Sequence, residues 1–178
     1  LLVEGGRHLV IAPTEASSLK WSSKPVSDTN TSGSVQISGV TTTGDRLAAL
    51  NDFAGRASTT AIINGSTSTN VTNTADYAAG FCNKYSRLNV NGKGLTAGRW
   101  WLPSVGELAM IWANFDKINY ALSKISGATQ LQPNWYWTST QSSAYGAWYL
   151  NLSDGNMDMR GNWKFYQFRV RPVSAFLQ

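Results

Sequence analysis

The spacing of apolar residues changes once along this chain, and that change is what most constrains the fold. From Asp45 to about Gly127 apolar residues recur at helical spacing, whereas from Trp135 onward they alternate with a period of two. A Gly5-Gly6 turn between two short apolar runs also predicts an N-terminal hairpin. Because helices and strands are segregated and do not alternate as βαβ units, the sequence predicts an α+β fold.

The helical region is predicted to contain five helices. The first begins at Asp45, and the others cover about 58–63, 75–85, 105–115 and 118–127. The fourth has the strongest start signal, because Ser104 and Glu107 of WLPSVGEL are spaced as a capping box. Large apolar residues of this helix and of the strands are predicted to form the framework: Trp101, Leu102, Leu108, Ile111, Trp112, Trp137 and Trp148.

The C-terminal part is predicted to form strands at 135–140, 147–152 and 170–176. Between the last two, residues 156–168 carry Met, Trp, Phe, Tyr, Asn, Asp and Arg without helical or strand periodicity. A further strand is predicted at 34–38, within a Ser/Thr/Gly-rich surface excursion over 14–43. The chain therefore places many interaction-prone side chains where local folding rules specify no structure.

Length and composition favour one domain on an extracellular or virion protein. The chain has 178 residues, 42% hydrophobic, which suffices for one core. Only 14% are charged, about half the usual share, so Ser, Thr, Asn and Gly must supply the surface polarity. Since Leu1 lies inside a predicted strand, we expect residues 1–178 to be the C-terminal part of a longer protein.

Charge and metal-ligating residues argue against several classes of function. The net charge of +5 comes from scattered Lys and Arg, which disfavours nucleic-acid binding. Cys82 is the single cysteine and His8 the single histidine, so neither a disulfide within the chain nor a Cys/His zinc site is expected. Both are predicted to be structural, Cys82 as a small buried residue. No apolar run reaches about 18 residues, so membrane insertion is not expected.

Five motifs occur in one order along the chain and together suggest a family. They are GGRHLVIAP from Gly5, GRWWLPSVGEL from Gly98, YWTST from Tyr136, AWYLNLSDGN from Ala147 and RVRPVSAF from Arg169. In this order the chain resembles the C-type-lectin-fold domains of variable proteins from diversity-generating retroelements, and related bacterial and phage surface domains. The resemblance implies a C-type lectin fold whose N- and C-terminal strands pair, on a phage tail or a bacterial cell surface.

The resemblance also implies a binding surface within 136–176 that is free to vary while the strands hold the frame. In the family, adenine-specific mutagenesis rewrites chosen codons, and residues such as Asn151 and Tyr166 belong to the set that Asn codons produce. The implied partner is a protein or glycan on a target cell, recognised without catalysis. Ten residues are predicted to share one exposed face: Tyr145, Tyr149, Asn151, Asp158, Arg160, Asn162, Trp163, Phe165, Tyr166 and Gln167.

Two other classes of function fit the sequence less well. A carbohydrate-binding lectin or adhesin is the alternative, but Gln132-Pro133-Asn134 leads directly into a strand and lacks nearby acidic residues, which favours a turn over a calcium site. An enzyme is disfavoured because His8 lies in a predicted hairpin and Asp154 and Asp158 flank a turn glycine. No cofactor and no metal are therefore predicted.

Overall fold

A computed structural model of the chain describes residues 2–4, 7–21, 36–64, 75–158 and 164–176. The order of elements agrees with the predicted α+β class, with small sheets and several short helices. The strands are β1 (Leu2–Glu4), β2 (Arg7–Ile11), β3 (Ala16–Lys20), β4 (Arg87–Leu88), β5 (Gly94–Leu95), β6 (Trp135–Gln141), β7 (Ala147–Asn151), β8 (Met157–Asp158), β9 (Gln167–Val170) and β10 (Val173–Phe176). The helices are α1 (Arg46–Leu50), α2 (Gly55–Asn64), α3 (Ala78–Lys84), α4 (Val105–Ala113) and α5 (Phe115–Ser123).

The predicted pairing of the N-terminal hairpin with the last strand is confirmed. Strand β2 pairs antiparallel with both β1 and β10, and Val173 lies opposite Ile11 in that register. Leu9 and Ile11 share a hydrophobic cluster with Val173, as expected, whereas Val170 belongs to a second cluster. The turn at Gly5-Gly6 lies outside the described residues.

A five-stranded sheet in the order β3-β9-β6-β7-β8 forms the centre of the fold and is covered on both faces. Neighbouring residues of one strand project to opposite faces. Thus Tyr136 and Trp148 join the cluster under α4, whereas Trp137 and Tyr149 join the cluster under α2 and α3. Both faces of β6 and β7 are therefore core over most of their length.

The predicted capping box at α4 is confirmed. The Ser104 N–H donates to Glu107 Oε2 at 3.0 Å, and the Ser104 hydroxyl donates to the Asp52 carbonyl at 2.6 Å. The Trp101 indole N–H also donates to Glu107 Oε2, at 3.1 Å. The start of α4 is thus joined both to α1's C-terminal loop and to the strand-like segment before it.

Six of the seven predicted framework residues are buried, and Trp112 is the exception. Its side chain is 40% exposed because α4 ends at Ala113, one residue later, and Trp112 lies over the turn that contains Gly155. Leu47 of α1, one of the apolar residues at helical spacing after Asp45, is 68% exposed, and Ala49 is buried instead. Helical spacing located these helices but did not predict the exposure of residues near their ends.

Two strand predictions were wrong. Residues 38–39 form a turn, and Gly39 has φ of +80°, a conformation that interrupts a strand. Residues 36–38, the described part of the predicted strand 34–38, therefore do not form a strand. The predicted strand over 170–176 is divided, because Arg171 and Pro172 leave the ladder and β9 and β10 belong to different sheets. Pro172 has no N–H to donate, and its carbonyl instead accepts from the Ala12 N–H at 2.9 Å. Strands β3, β4, β5 and β8 were not predicted, and β3 belongs to the five-stranded sheet although its residues were assigned to the surface excursion over 14–43.

Candidate functional site

The predicted site residues fall into four groups in the structure. Tyr145, Tyr166 and Gln167 are exposed, and Asn151, Asp158 and Phe165 are half-buried. Arg160, Asn162 and Trp163 lie outside the described residues. Tyr149 is buried.

The expectation that Tyr149 is exposed was wrong. Its side chain is only 6% exposed and packs edge-on against Trp137, with ring centroids 6.1 Å apart, and flat against Phe168, at 4.9 Å. The alternation of β7 was assigned correctly, but the face opposite Trp148 is also covered. Tyr149 therefore belongs to the frame beneath the site.

The exposed and buried aromatic side chains on this face form one continuous aromatic row. It comprises Trp135, Tyr149, Phe168, Tyr166 and Phe165. Consecutive ring centroids are 4.8, 4.9, 6.4 and 4.8 Å apart. Exposure rises along the row from buried Tyr149 to Tyr166 at 43%. The row thus joins the buried ring of Tyr149 to the exposed ring of Tyr166.

Sequence reasoning missed two members of this row, Trp135 and Phe168. Trp137 lies opposite Tyr149 in the antiparallel register, so Trp135, two residues earlier, shares their face. Phe168 is brought alongside by β9, which pairs with β3 at Leu19 and with β6 at Tyr136. Period two in β6 could have identified Trp135, but nothing local placed Phe168.

The chain that enters β9 is held on two sides by hydrogen bonds at Lys164. Its N–H donates to the Tyr145 carbonyl and its carbonyl accepts from the Trp21 N–H, both at 3.0 Å. Its side chain is buried, with Nζ donating to Gln141 Oε1 at 2.7 Å and lying 4.5 Å from the centroid of the Trp21 ring. Burial lowers the pKa of Lys164 to about 7. Lys164 is therefore a buried anchor at the start of this segment.

A buried charged network supports the other end of β9. Glu15 accepts from Arg169 at 2.8 Å and from Arg171 at 3.0 Å, and the Tyr136 hydroxyl donates to Glu15 Oε2 at 2.8 Å. Arg171 is fully buried and also donates to the Thr129 carbonyl at 2.8 Å. Burial, and then the neighbouring Glu15 carboxylate, raise the pKa of Tyr136 above its usual range. This network joins β6, β9 and the segment before β3.

The site has the chemistry of a contact surface. Aromatic rings supply apolar area with few rotatable bonds, and Asn151, Asp158 and Gln167 supply hydrogen-bonding groups beside them. Within the described residues, no group of three or more His, Cys, Asp or Glu side chains is placed to hold a metal ion. Gln132-Pro133-Asn134 forms the predicted turn, in which the Asn134 N–H donates to the Gln132 carbonyl at 2.8 Å.

Comparison with known proteins identifies a fold relative but no family. No family model matches the chain, and no curated protein matches it. A solved structure of a fimbrial protein from Bacteroides ovatus ATCC 8483 superposes with a TM-score of 0.56 at 16% sequence identity. The match covers 94% of this chain and 35% of the fimbrial protein, so the chain spans about a third of that protein's length. In the part of the chain that the structure describes, no helix is long and apolar enough to cross a membrane. At 16% identity, the comparison with the fimbrial protein shows a shared fold alone.

Proposed function

We propose that this chain is a non-catalytic binding module of C-type lectin fold that presents an exchangeable surface to a protein on a target cell. The observation that carries the proposal is the aromatic row, which passes from a buried frame at Tyr149 to the exposed ring of Tyr166 and the half-buried ring of Phe165. Exposed aromatic groups of this kind on a polar surface mark partner sites.

The frame and the surface are separable on this face. Trp137 and Tyr149 are buried by strands and helices, and their packing depends on Val170 and Leu102 in the same cluster. Tyr166 contacts the frame through Phe168, at a ring separation of 6.4 Å, and leaves 43% of its own area exposed. Substitutions at the outer end can therefore change a binding surface at a small cost in stability.

The location of the motifs supports the C-type lectin assignment within this proposal. The WLPS and VRPV segments meet directly, because Trp101 and Val173 exchange backbone hydrogen bonds of 2.8 and 2.9 Å. The paired N- and C-terminal strands form a separate sheet from β7, β8 and β9, the strands that carry Asn151, Asp158 and Gln167. The fimbrial fold relative agrees with display outside the cell, on a bacterial surface or a phage tail.

The retroelement origin is tested by sequencing the locus around the gene in independent isolates. The proposal predicts a near-copy of the region encoding 136–176 that differs at adenines and lies beside a reverse transcriptase gene. Differences between isolates should concentrate at exposed or half-buried positions such as Tyr166, Gln167 and Asp158 and should spare Trp137 and Tyr149. Variation spread evenly over buried and exposed positions would contradict this origin.

The binding function is tested by display of two libraries of the chain. One library randomises Asn151, Asp158, Phe165, Tyr166 and Gln167, and the matched control library randomises five buried positions. The first library should remain protease-resistant and yield binders to immobilised proteins such as lysozyme, and the second should lose the fold. If the first library also loses protease resistance, these positions are core and the proposed surface is wrong.

A further inference from the structure

Two tryptophans differ from the rest in the use of their indole N–H. Of the seven whose side chains the structure describes, five donate this N–H to another group of the chain: Trp21, Trp100, Trp101, Trp137 and Trp148. Trp135 and Trp112 have no such acceptor among the described residues. Trp135 begins the aromatic row, whereas Trp112 lies at the end of α4, away from it.

Trp112 forms one wall of an open cleft of about 480 Å³. The other walls are the start of α5, at Asp116, the turn before β6, at Pro133, and the turn after β7, at Leu152 and Ser153. Sites for small ligands measure about 300–1,000 Å³. The cleft is therefore large enough for a small ligand.

The ring of Trp112 is held in place by the turn after β7. A Cβ atom at Gly155 would lie 2.4 Å from Cζ2 of Trp112, so glycine is required for the ring to lie against the backbone there. Gly155 also has φ of +72°, which glycine adopts without strain. One side of the ring is thus fixed, while the side chain remains 40% exposed toward the cleft and solvent.

The polar groups in the cleft are complementary to hydroxyl groups. Asp116 makes no hydrogen bond or ion pair with any described residue, so its carboxylate is available as an acceptor. The Trp112 N–H is available as a donor. Ser153 donates its hydroxyl to Asn151 Oδ1 at 2.9 Å and keeps its own lone pairs for a ligand. A sugar can pack its ring on the aromatic face and form hydrogen bonds with the donor and the acceptors beside it.

We propose that this cleft binds a neutral saccharide without a metal ion, as a second site independent of the aromatic row. The C–H groups on one face of a pyranose ring pack on the electron-rich face of an indole. Its hydroxyls donate to Asp116 and Ser153 and accept from the Trp112 N–H. A negatively charged ligand is disfavoured, because Asp116 would repel it.

The test is an NMR titration of the ¹⁵N-labelled chain, with the Trp112 indole resonance assigned by Trp112→Phe. The probes are methyl glycosides of glucose, galactose, mannose and N-acetylglucosamine at millimolar concentration, with EDTA present. At least one should shift the Trp112 indole resonance. Asp116→Asn should weaken that sugar's binding several-fold, to about tenfold, since a neutral amide oxygen replaces the charged acceptor. Asp154→Asn, at a nearby exposed carboxylate outside the cleft, should leave it unchanged.

A matched pair of glycine substitutions tests whether sugar binding depends on the contact between the Trp112 ring and Gly155. Gly155→Ala and Gly127→Ala place Cβ on backbones of nearly equal φ, +72° and +73°, but only Gly155→Ala meets Trp112. Sugar binding should be lost in the first and kept in the second. The inference is overturned if no probe shifts the Trp112 resonance or if both variants bind equally. Trp135→Ala, a substitution in the aromatic row, should leave sugar binding at the Trp112 cleft unchanged.

Discussion

Replacing Glu15 by Gln should destabilise the fold strongly, because it removes the single negative charge between two arginines. The Glu15 side chain is 5% exposed, and those of Arg171 and Arg169 are 0% and 24% exposed. In the Glu15→Gln variant, Arg171 keeps its hydrogen bonds to Thr129 and Pro13 but loses the charge that offsets its burial. Burial already lowers the pKa of Arg171, while Glu15 opposes that effect.

Breaking a buried ion pair by removing one partner costs about 3–5 kcal/mol. Arg169 is partly exposed and adds little to this, since water screens it. The expected loss in the free energy of unfolding is therefore about 3–5 kcal/mol, a large part of the 5–15 kcal/mol typical of a domain. The Tyr136→Phe variant removes one donor to Glu15 and should cost about 1–2 kcal/mol.

The assay is urea unfolding at pH 7, followed by circular dichroism and tryptophan fluorescence. Asp154→Asn is the matched control, because Asp154 is exposed and accepts a hydrogen bond only from the Asn156 N–H within its own turn among the described residues. It should change stability by less than about 0.5 kcal/mol. A loss below about 1 kcal/mol in Glu15→Gln would refute the view that this network holds β9 in place.

Three further changes test the frame and its anchors. Because the pKa of Lys164 is about 7 in the folded chain against an ordinary 10.5, the unfolded chain binds an extra proton between these values. Stability should therefore rise with pH from about 7 to about 10.5, and Lys164→Met should remove this rise in urea unfolding. Trp148→Ala should cost about 3–5 kcal/mol, since the side chain is buried, and an unchanged melting temperature would contradict its place in the frame. Tyr149→Ala should cost about 3–5 kcal/mol but Tyr166→Ser less than about 1 kcal/mol, and equal losses in calorimetry would contradict the division of the aromatic row.

Local signals in the sequence located two helix starts and two strands of the central sheet closely. The capping box at Ser104 and Glu107 located the start of α4, because both partners lie within one helical turn. The Asp45 side chain caps α1 in the same way, accepting from the Ala48 N–H at 2.7 Å. Period two located β6 and β7 to within one residue at each end. These features depend on residues close together in the chain, so they can be recognised in the sequence.

The site depends on contacts that are distant in sequence, and these were not predicted. Alternation separated Trp148 from Tyr149, but it could not show that α2 and α3 cover the second face of the sheet. Glu15 was assigned to a surface excursion, yet it pairs with Arg171, 156 residues further along the chain. Trp112 followed the helical stripe, but its surroundings are set by the turn at Gly155. In each case the environment of the residue is set by a segment distant in sequence, which local patterns do not identify.

The central claim is that the outer end of the aromatic row is a surface carried by a frame that folds without it. The most direct measurement is the free energy of unfolding of a triple variant, Phe165→Ser, Tyr166→Ser and Gln167→Ser, compared with the parent chain in urea. The account predicts a loss of no more than about 2 kcal/mol, because these side chains are exposed or half-buried. A loss of about 4 kcal/mol or more, comparable to that of Tyr149→Ala, would show that these residues are core and would contradict the claim.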